Sequence, residues 1–267
     1  MQLTLNQLFF LHIHIYIYIH TRTGHKGALE PYDGKPIPFK VTKDQQEKLA
    51  KGDCVSYNER NGKSGRGVVI QDVAASPSIT MEKIRDLKMY PKMVPHCRDV
   101  KIYETQKFLN GTSKTGAEFQ VGVMGVKFGY YLMLTHEPKY NTLTWTLDYK
   151  YNSDFDDNCG HWQIMPHPSK AGWSRVLYST KVKLFPWIPS FVVSFLTSKA
   201  LTESTTWVKR ESEAEAKTVA AKNTFKAPKL GDFKDLKMPK WMNVKGGASK
   251  NSNLHTPLRL ALGLGFR

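Results

Sequence analysis

The sequence predicts an α+β domain in which a curved antiparallel sheet of about seven strands wraps around one long C-terminal helix, with two short helices after the first strand. Three observations support this prediction. Helix signals follow the first strand near position 76, apolar residues then alternate with polar ones between positions 97 and 184, and a helical period begins after position 189.

The first strand and the two short helices are predicted from residues 65–94. The strand GRGVVIQDVAAS ends at Ser76, a favourable helix N-cap, and Pro77 occupies the first helical position. The helix ends before Tyr90-Pro91, because the residue before a proline favours an extended conformation. A second short helical turn is expected at 92–94.

About six further strands follow with a period of two residues. NGT at positions 110–112 is interpreted as a hairpin turn between two of them. Thr142, Thr144 and Thr146 are expected to face outward. The apolar or aromatic residues that recur at every second position are Val100, Ile102, Phe119, Val121, Val123, Val126, Phe128, Tyr130, Leu132, Leu134, Leu143, Trp145, Leu147, Trp162, Ile164, Val176, Tyr178, Val182 and Leu184.

One long amphipathic helix closes the predicted domain after Pro189. At 100° per residue its apolar side chains cover about half of the helix circumference. A sheet of this many strands must curve, and a single helix laid across its concave face encloses a space. The apolar helix residues are Val192, Val193, Phe195, Leu196, Ala200 and Trp207.

Three segments carry a resemblance to a known family. They are VAASPSITMEKIRDLKMYPKMVP at 73–95, WTLDYKYNSDFDDNCGHWQI at 145–164 and FPWIPSFVVSFLTSKALTESTTWVKRESE at 185–213. They resemble the START-like (SRPBCC, helix-grip) superfamily and, within it, the coenzyme Q-binding and polyketide-cyclase-like branch. The resemblance implies a carrier or chaperone for a quinone, a lipid or an isoprenoid, and by analogy a mitochondrial location.

A hydrophobic ligand is therefore the expected partner, and inward-facing aromatic and aliphatic side chains would line its cavity. Tyr90 and Pro91 are expected at the mouth, where the short helices could act as a gate. The predicted ligand-binding residues are Tyr90, Phe119, Phe128, Tyr130, Leu132, Trp145, Leu147, Trp162, Ile164, Tyr178, Val192 and Phe195.

An enzyme of the polyketide-cyclase type is the alternative, with a polar group in the same cavity for proton transfer. Its candidate residues are Tyr130, Tyr178, Asp148 and Arg175. No catalytic residue is assigned, since these four form no recognised constellation.

No cofactor or metal is expected. The spacing of Cys159, His161 and His167 fits no zinc pattern, and DFDDN from Asp154 lacks the glycine and the closing glutamate of a calcium loop. It is interpreted as a polar turn. His161 is expected to be an exposed strand residue.

The net charge of +16 is unevenly distributed. Residues 1–64 are predicted to be an irregular N-terminal extension, residues 65–213 the ligand-binding domain, and residues 214–267 a basic, disordered tail. The tail has eleven Lys/Arg against three Asp/Glu, with apolar residues between them, a pattern that suits contact with an anionic membrane. Residues 67–213 carry eighteen basic and fourteen acidic residues, so no nucleic-acid partner is expected.

Overall fold

The structure is a computed structural model and describes residues 27–123, 125–197 and 199–224. Its centre is one antiparallel sheet of eight strands in the order β1-β2-β8-β7-β6-β5-β4-β3. The fold class predicted from the sequence is confirmed, with one strand more than expected. The strands are β1 (Val55–Asn61), β2 (Ser64–Val73), β3 (Cys97–Lys107), β4 (Ser113–Val123), β5 (Val126–Glu137), β6 (Thr142–Leu147), β7 (Asp157–Pro166) and β8 (Ser174–Lys183).

Short helices precede and interrupt the sheet, and two helices follow it. The predicted N-cap is confirmed, because the Ser76 hydroxyl accepts a hydrogen bond from the amide of Ile79. The described helices are α1 (Lys43–Ala50), α2 (Pro77–Arg85), a 3-10 turn (Leu87–Met89), α3 (Tyr90–Met93), α4 (Ser190–Thr197) and α5 (Lys199–Thr224).

Helix α5 closes the inner face of the sheet, as the apolar helical period predicts. Leu201 of α5 lies directly against Gly67 of β2, where a Cβ atom would come within 2.4 Å of its Cδ1. Trp207, one and a half turns later, meets Trp162 of β7 edge-on at 6.4 Å between ring centroids. The helix therefore crosses the sheet in contact with strands β2 and β7.

Polar contacts fix the C-terminal half of α5 against the first helices. Glu213 accepts a hydrogen bond from the amide of Ala74 at the end of β2, at 2.9 Å. Arg210 donates to the carbonyl of Met93 at 2.7 Å. The helix continues to Thr224, eleven residues beyond the predicted end of the ligand-binding domain. Residues 225–267, most of the predicted basic tail, lie outside the described residues.

Residues 27–41, which we call the N-terminal strap, lie against the outer face of the sheet without forming a helix or a strand. The Asp157 carboxylate accepts hydrogen bonds from the amides of Ala28 and Leu29 at 2.6 and 2.7 Å. Further along, Thr142 donates to the carbonyl of Gly34 at 2.6 Å. Side chains of the sheet thus bind the strap through its backbone.

Helix α1 and strand β1 differ from the irregular extension that the sequence indicates for residues 1–64, whereas the strap contains no helix or strand. Strand β1 pairs with β2 along its whole length, yet only Val55 in it is buried, so it carries no apolar alternation. The expectation of an exposed His161 is wrong. Its side chain is fully buried because Tyr32 of the strap packs over it at 5.4 Å between ring centroids.

One further sequence prediction concerns a turn. The NGT turn is confirmed: Gly111 has a φ of +85°, and the Asn110 side chain accepts a hydrogen bond from the amide of Thr112 at 3.0 Å. Within the described part of the chain, no helix is long and apolar enough to span a membrane.

Candidate ligand-binding site

An internal cavity of about 260 Å3 lies between the inner face of the sheet and helices α4 and α5. Strands β3 to β8 and helix α3 supply its other walls. Eight of the twelve ligand-binding residues predicted from the sequence line it together: Tyr90, Phe119, Tyr130, Leu132, Trp145, Trp162, Tyr178 and Phe195.

Strand register brings the aromatic residues together. Phe119 and Tyr130 are directly opposite each other on β4 and β5, and their rings stack at 5.4 Å with an interplanar angle of 5°. Trp162 and Tyr178 are opposite on β7 and β8, with ring centroids 4.4 Å apart. The antiparallel pairing thus builds a continuous aromatic wall along the cavity.

Trp145 depends on a neighbouring glycine for its position in that wall. It faces Gly160 across the β6–β7 ladder, and a Cβ atom at position 160 would come within 1.9 Å of the indole Cζ2. The indole Nε1 donates to Asn158 Oδ1 at 3.0 Å, and the ring stacks on Tyr178 at 5.7 Å. Only a residue without a side chain leaves room for this ring.

The other four predicted ligand-binding residues do not line the cavity. Phe128, Leu147, Ile164 and Val192 belong to the same inner core but are at most 2% exposed. Phe128, for example, stacks on Phe155 at 5.8 Å. The residue alternation assigns the face of a strand correctly, yet it does not give the distance along the strand from the cavity.

Several lining residues were absent from the sequence prediction. Val121, Leu134 and Val182 share the period of residues that were chosen, and Trp207 belongs to the apolar stripe of α5, so each had a usable signal. Phe155 had none, because it lies in the loop after β6. That loop is the predicted polar turn, but Asp154 accepts the Gly129 amide at 2.6 Å and so brings Phe155 beneath Tyr130.

A contact between His96 and Glu203 lies at the partly exposed side of the cavity. His96 Nε2 is 3.1 Å from Glu203 Oε2, and the two side chains are 35% and 27% exposed. His96 precedes β3 with a φ of +65°, and its ring meets Phe195 of α4 edge-on at 5.1 Å. We call this side the mouth. Tyr90, expected there, instead packs inside against Phe119 and Trp207, at 6.1 and 5.2 Å.

The tyrosines of the cavity are held in the neutral form. Burial raises the pKa of Tyr178 to about 12, although a hydrogen bond with Thr180 opposes the shift. Burial also raises the pKa of Tyr90 and of Tyr130 above the ordinary tyrosine value. Near neutral pH these hydroxyls are therefore hydrogen-bond donors and not bases.

Two residues proposed for cyclase chemistry lie elsewhere. Asp148 accepts a hydrogen bond from Tyr103 at 2.9 Å, in a group of partly exposed tyrosines away from the cavity. Arg175 makes two hydrogen bonds of 2.7 and 2.9 Å to the buried Asp72, which also contacts His167 at 2.9 Å. Burial alone would raise the pKa of Asp72, but Arg175 and His167 hold it below the ordinary value. This cluster is structural.

The cysteine and histidines considered as metal ligands are also separate. Cys159 donates to the Glu30 carbonyl, His161 lies under Tyr32, and His167 contacts Asp72. Among residues 27–123, 125–197 and 199–224, no three His, Cys, Asp or Glu side chains are grouped as a metal site.

Neither a family model nor a curated protein matches the sequence. Solved structures with a similar fold include a START superfamily protein from Mycobacterium smegmatis, 16% identical over 63% of this chain and 99% of its own, with a TM-score of 0.43. The Zhui aromatase/cyclase from Streptomyces sp. R1128 is 14% identical over 64% and 94%, with a TM-score of 0.38.

A STAR-related lipid transfer protein from Xanthomonas axonopodis is 11% identical over 67% of this chain and 99% of its own, with a TM-score of 0.48. These likenesses concern the fold alone. The START-like helix-grip fold predicted from the sequence is confirmed by the chain's own strand order and closing helix.

Proposed function

We propose that this chain binds an apolar small molecule in the cavity and carries or protects it, with a quinone, a lipid or an isoprenoid as the ligand. The observation that carries the proposal is the aromatic cavity between the sheet and the closing helices, to which eight separately predicted side chains contribute. An aromatic-rich inner face is often solid core, whereas here it surrounds space.

The size of the cavity indicates that only part of the ligand is buried inside it. A cavity of about 150 Å3 can hold benzene, so the volume of about 260 Å3 suits one ring system or a short chain segment. Burying a ring removes about 150–250 Å2 from water, or about 4–6 kcal/mol. Since association costs a comparable amount, a tight ligand would also cover apolar surface at the mouth.

The chemistry of the lining favours binding over catalysis. Among the described residues of the lining there is no Lys or Arg, and the one carboxylate, Glu203, contacts His96 at the mouth. The interior tyrosines have raised pKa values, so they supply no general base near neutral pH. Asp148 and Arg175, the charged candidates for a cyclase, are engaged outside the cavity. We therefore favour a carrier over a cyclase-like enzyme.

The proposal is tested by native mass spectrometry of the full chain purified from cells that make quinones and phospholipids, followed by organic extraction. The expected result is a co-purifying apolar mass at one per chain. Phe195→Asp should remove it, because Phe195 lines the cavity. Phe191→Asp is the matched control, since Phe191 lies on the same helix but is 47% exposed.

A full chain that remains empty when offered quinone, phospholipid and isoprenoid would refute the carrier function. Contact of the basic tail with an anionic membrane is a separate part of the proposal. Salt-sensitive binding to vesicles that contain phosphatidylserine, lost when residues 225–267 are removed, would support that contact.

A further inference from the structure

Resting on the proposed function, we infer that the part of the ligand that enters the cavity is uncharged and presents a hydrogen-bond acceptor, such as a carbonyl oxygen, to the hydroxyl of Tyr130. The inference combines three features of the described lining: its charges, its hydrogen-bond partners and the position of Tyr130.

The charges of the lining support the first part of the inference, that the buried part of the ligand is uncharged. No Lys or Arg is among the described residues that line the cavity, and the single carboxylate, Glu203, is paired with His96. A carboxylate or phosphate inside would therefore be buried without a counter-ion, which costs several kcal/mol. A buried ammonium group would also lack an unpaired carboxylate. The buried part of the ligand is uncharged.

Most polar groups of the lining already have protein partners. Tyr178 is hydrogen-bonded to Thr180. The other bonds run from the Tyr90 hydroxyl to the Ile84 carbonyl at 2.5 Å, from Trp145 Nε1 to Asn158 Oδ1 at 3.0 Å, and from the Ser204 hydroxyl to the Leu201 carbonyl at 2.6 Å. These groups therefore need no hydrogen-bond partner from a ligand.

Tyr130 is different. Its hydroxyl has no hydrogen-bond partner within the described parts of the chain, although a buried tyrosine hydroxyl usually has one. Its ring is fixed by stacking on Phe119 at 5.4 Å and by tilted contact with Phe155 at 5.1 Å. The other two indoles of the described lining, Trp162 and Trp207, can only donate.

The interior therefore offers donors to a ligand. Because burial raises the pKa of Tyr130, its hydroxyl keeps its proton and can donate it to a hydrogen bond. A ketone, a quinone or an ester carbonyl satisfies this hydroxyl, whereas a pure hydrocarbon leaves it unpaired. The lining therefore favours apolar molecules that carry a hydrogen-bond acceptor.

The test uses three ring-sized probes with the full chain: 2-acetylnaphthalene, 2-ethylnaphthalene and 2-naphthoate, measured by equilibrium dialysis. They share the naphthalene ring and differ only in the group at one position, which is an acetyl ketone, an ethyl hydrocarbon or a carboxylate anion. Tyr130→Phe should weaken binding of the ketone about twofold to tenfold, the effect of one net hydrogen bond. Binding of the hydrocarbon should be unchanged, and 2-naphthoate should bind at least about tenfold more weakly than the ketone.

Tyr90→Phe is the matched control, because Tyr90 lines the same cavity but its hydroxyl already donates to the Ile84 carbonyl at 2.5 Å. It should change the affinities for the ketone and the hydrocarbon equally. If both neutral probes bind and Tyr130→Phe affects them alike, the acceptor inference is wrong while the proposed function stands. If 2-naphthoate binds best, the inference that the buried part of the ligand is uncharged is wrong. If no probe binds, the inference fails together with the proposed function.

Discussion

Replacing Gly160 with alanine should move Trp145 out of the cavity wall. A Cβ atom at this position would lie 1.9 Å from the Cζ2 atom of Trp145, and the two nearest atoms after it are 2.3 and 2.4 Å away. All three belong to a rigid ring, so no flexible group can give way. The indole must rotate or the two strands must separate.

The cost follows from the contacts that Trp145 would lose. The hydrogen bond to Asn158 is worth about 1 kcal/mol, and the stacking on Tyr178 about 0.5–1.5 kcal/mol. Overpacking adds about 1–3 kcal/mol, whereas alanine recovers about 0.5–1 kcal/mol of backbone entropy relative to glycine. We expect Gly160→Ala to lower the free energy of unfolding by about 1.5–5 kcal/mol.

Chemical denaturation of the full chain measures this change. Gly122→Ala is the matched control, because Gly122 is also in a strand but its Cβ would meet only the flexible Arg98 side chain at 3.0 Å. It should stay within about 0.5 kcal/mol of the original chain. Trp145→Phe combined with Gly160→Ala should recover part of the loss, as the smaller ring leaves room. Equal stability of the two alanine variants would refute the steric argument.

Three further predictions concern the outer face and the buried ionisable groups. Removing residues 1–41 should lower the melting temperature, since Asp157 would lose the amides of Ala28 and Leu29; an unchanged melting temperature would show that the strap contributes nothing. Asp72→Ala should cost about 3–5 kcal/mol in denaturant unfolding by leaving buried Arg175 unpaired, whereas Asp99→Ala, in an exposed pair, should cost under about 1 kcal/mol. Burial lowers the pKa of His136 to about 4, below its unfolded value of about 6.5, so the unfolded chain binds the proton more readily. Stability should fall by about 1–3 kcal/mol between pH 6.5 and 4, and His136→Gln should flatten that slope.

The inner face of the sheet was predictable because one physical rule governs it. Residues two apart along a strand share a face, and antiparallel register then places Phe119 opposite Tyr130 and Trp162 opposite Tyr178. The rule assigns faces only. It could not show that Leu147 and Ile164 pack in solid core, because cavity position depends on where the closing helix lies.

The outer face was not predictable in the same way. Thr142 does point outward from the inner core as expected, yet it is fully buried because the strap lies over it. Near its start the strap is held by side chains that bind its backbone, as with Asp157 and Leu29. Towards its end it is held by Ile37, Phe39 and Val41, which alternate with exposed residues and pack against a small second core cluster. The contact between Asp72 and Arg175 could not be predicted without the strand register either, since the two residues are 103 positions apart.

The most direct test of the ligand-binding site is a crystal structure of the full chain grown with 2-acetylnaphthalene. The account predicts electron density for the naphthalene in contact with Trp145, Trp162 and Tyr178, with its ketone oxygen within hydrogen-bond distance of the Tyr130 hydroxyl. Density for the probe only on the outer face of the sheet, with the inner cavity filled by rearranged side chains, would contradict it.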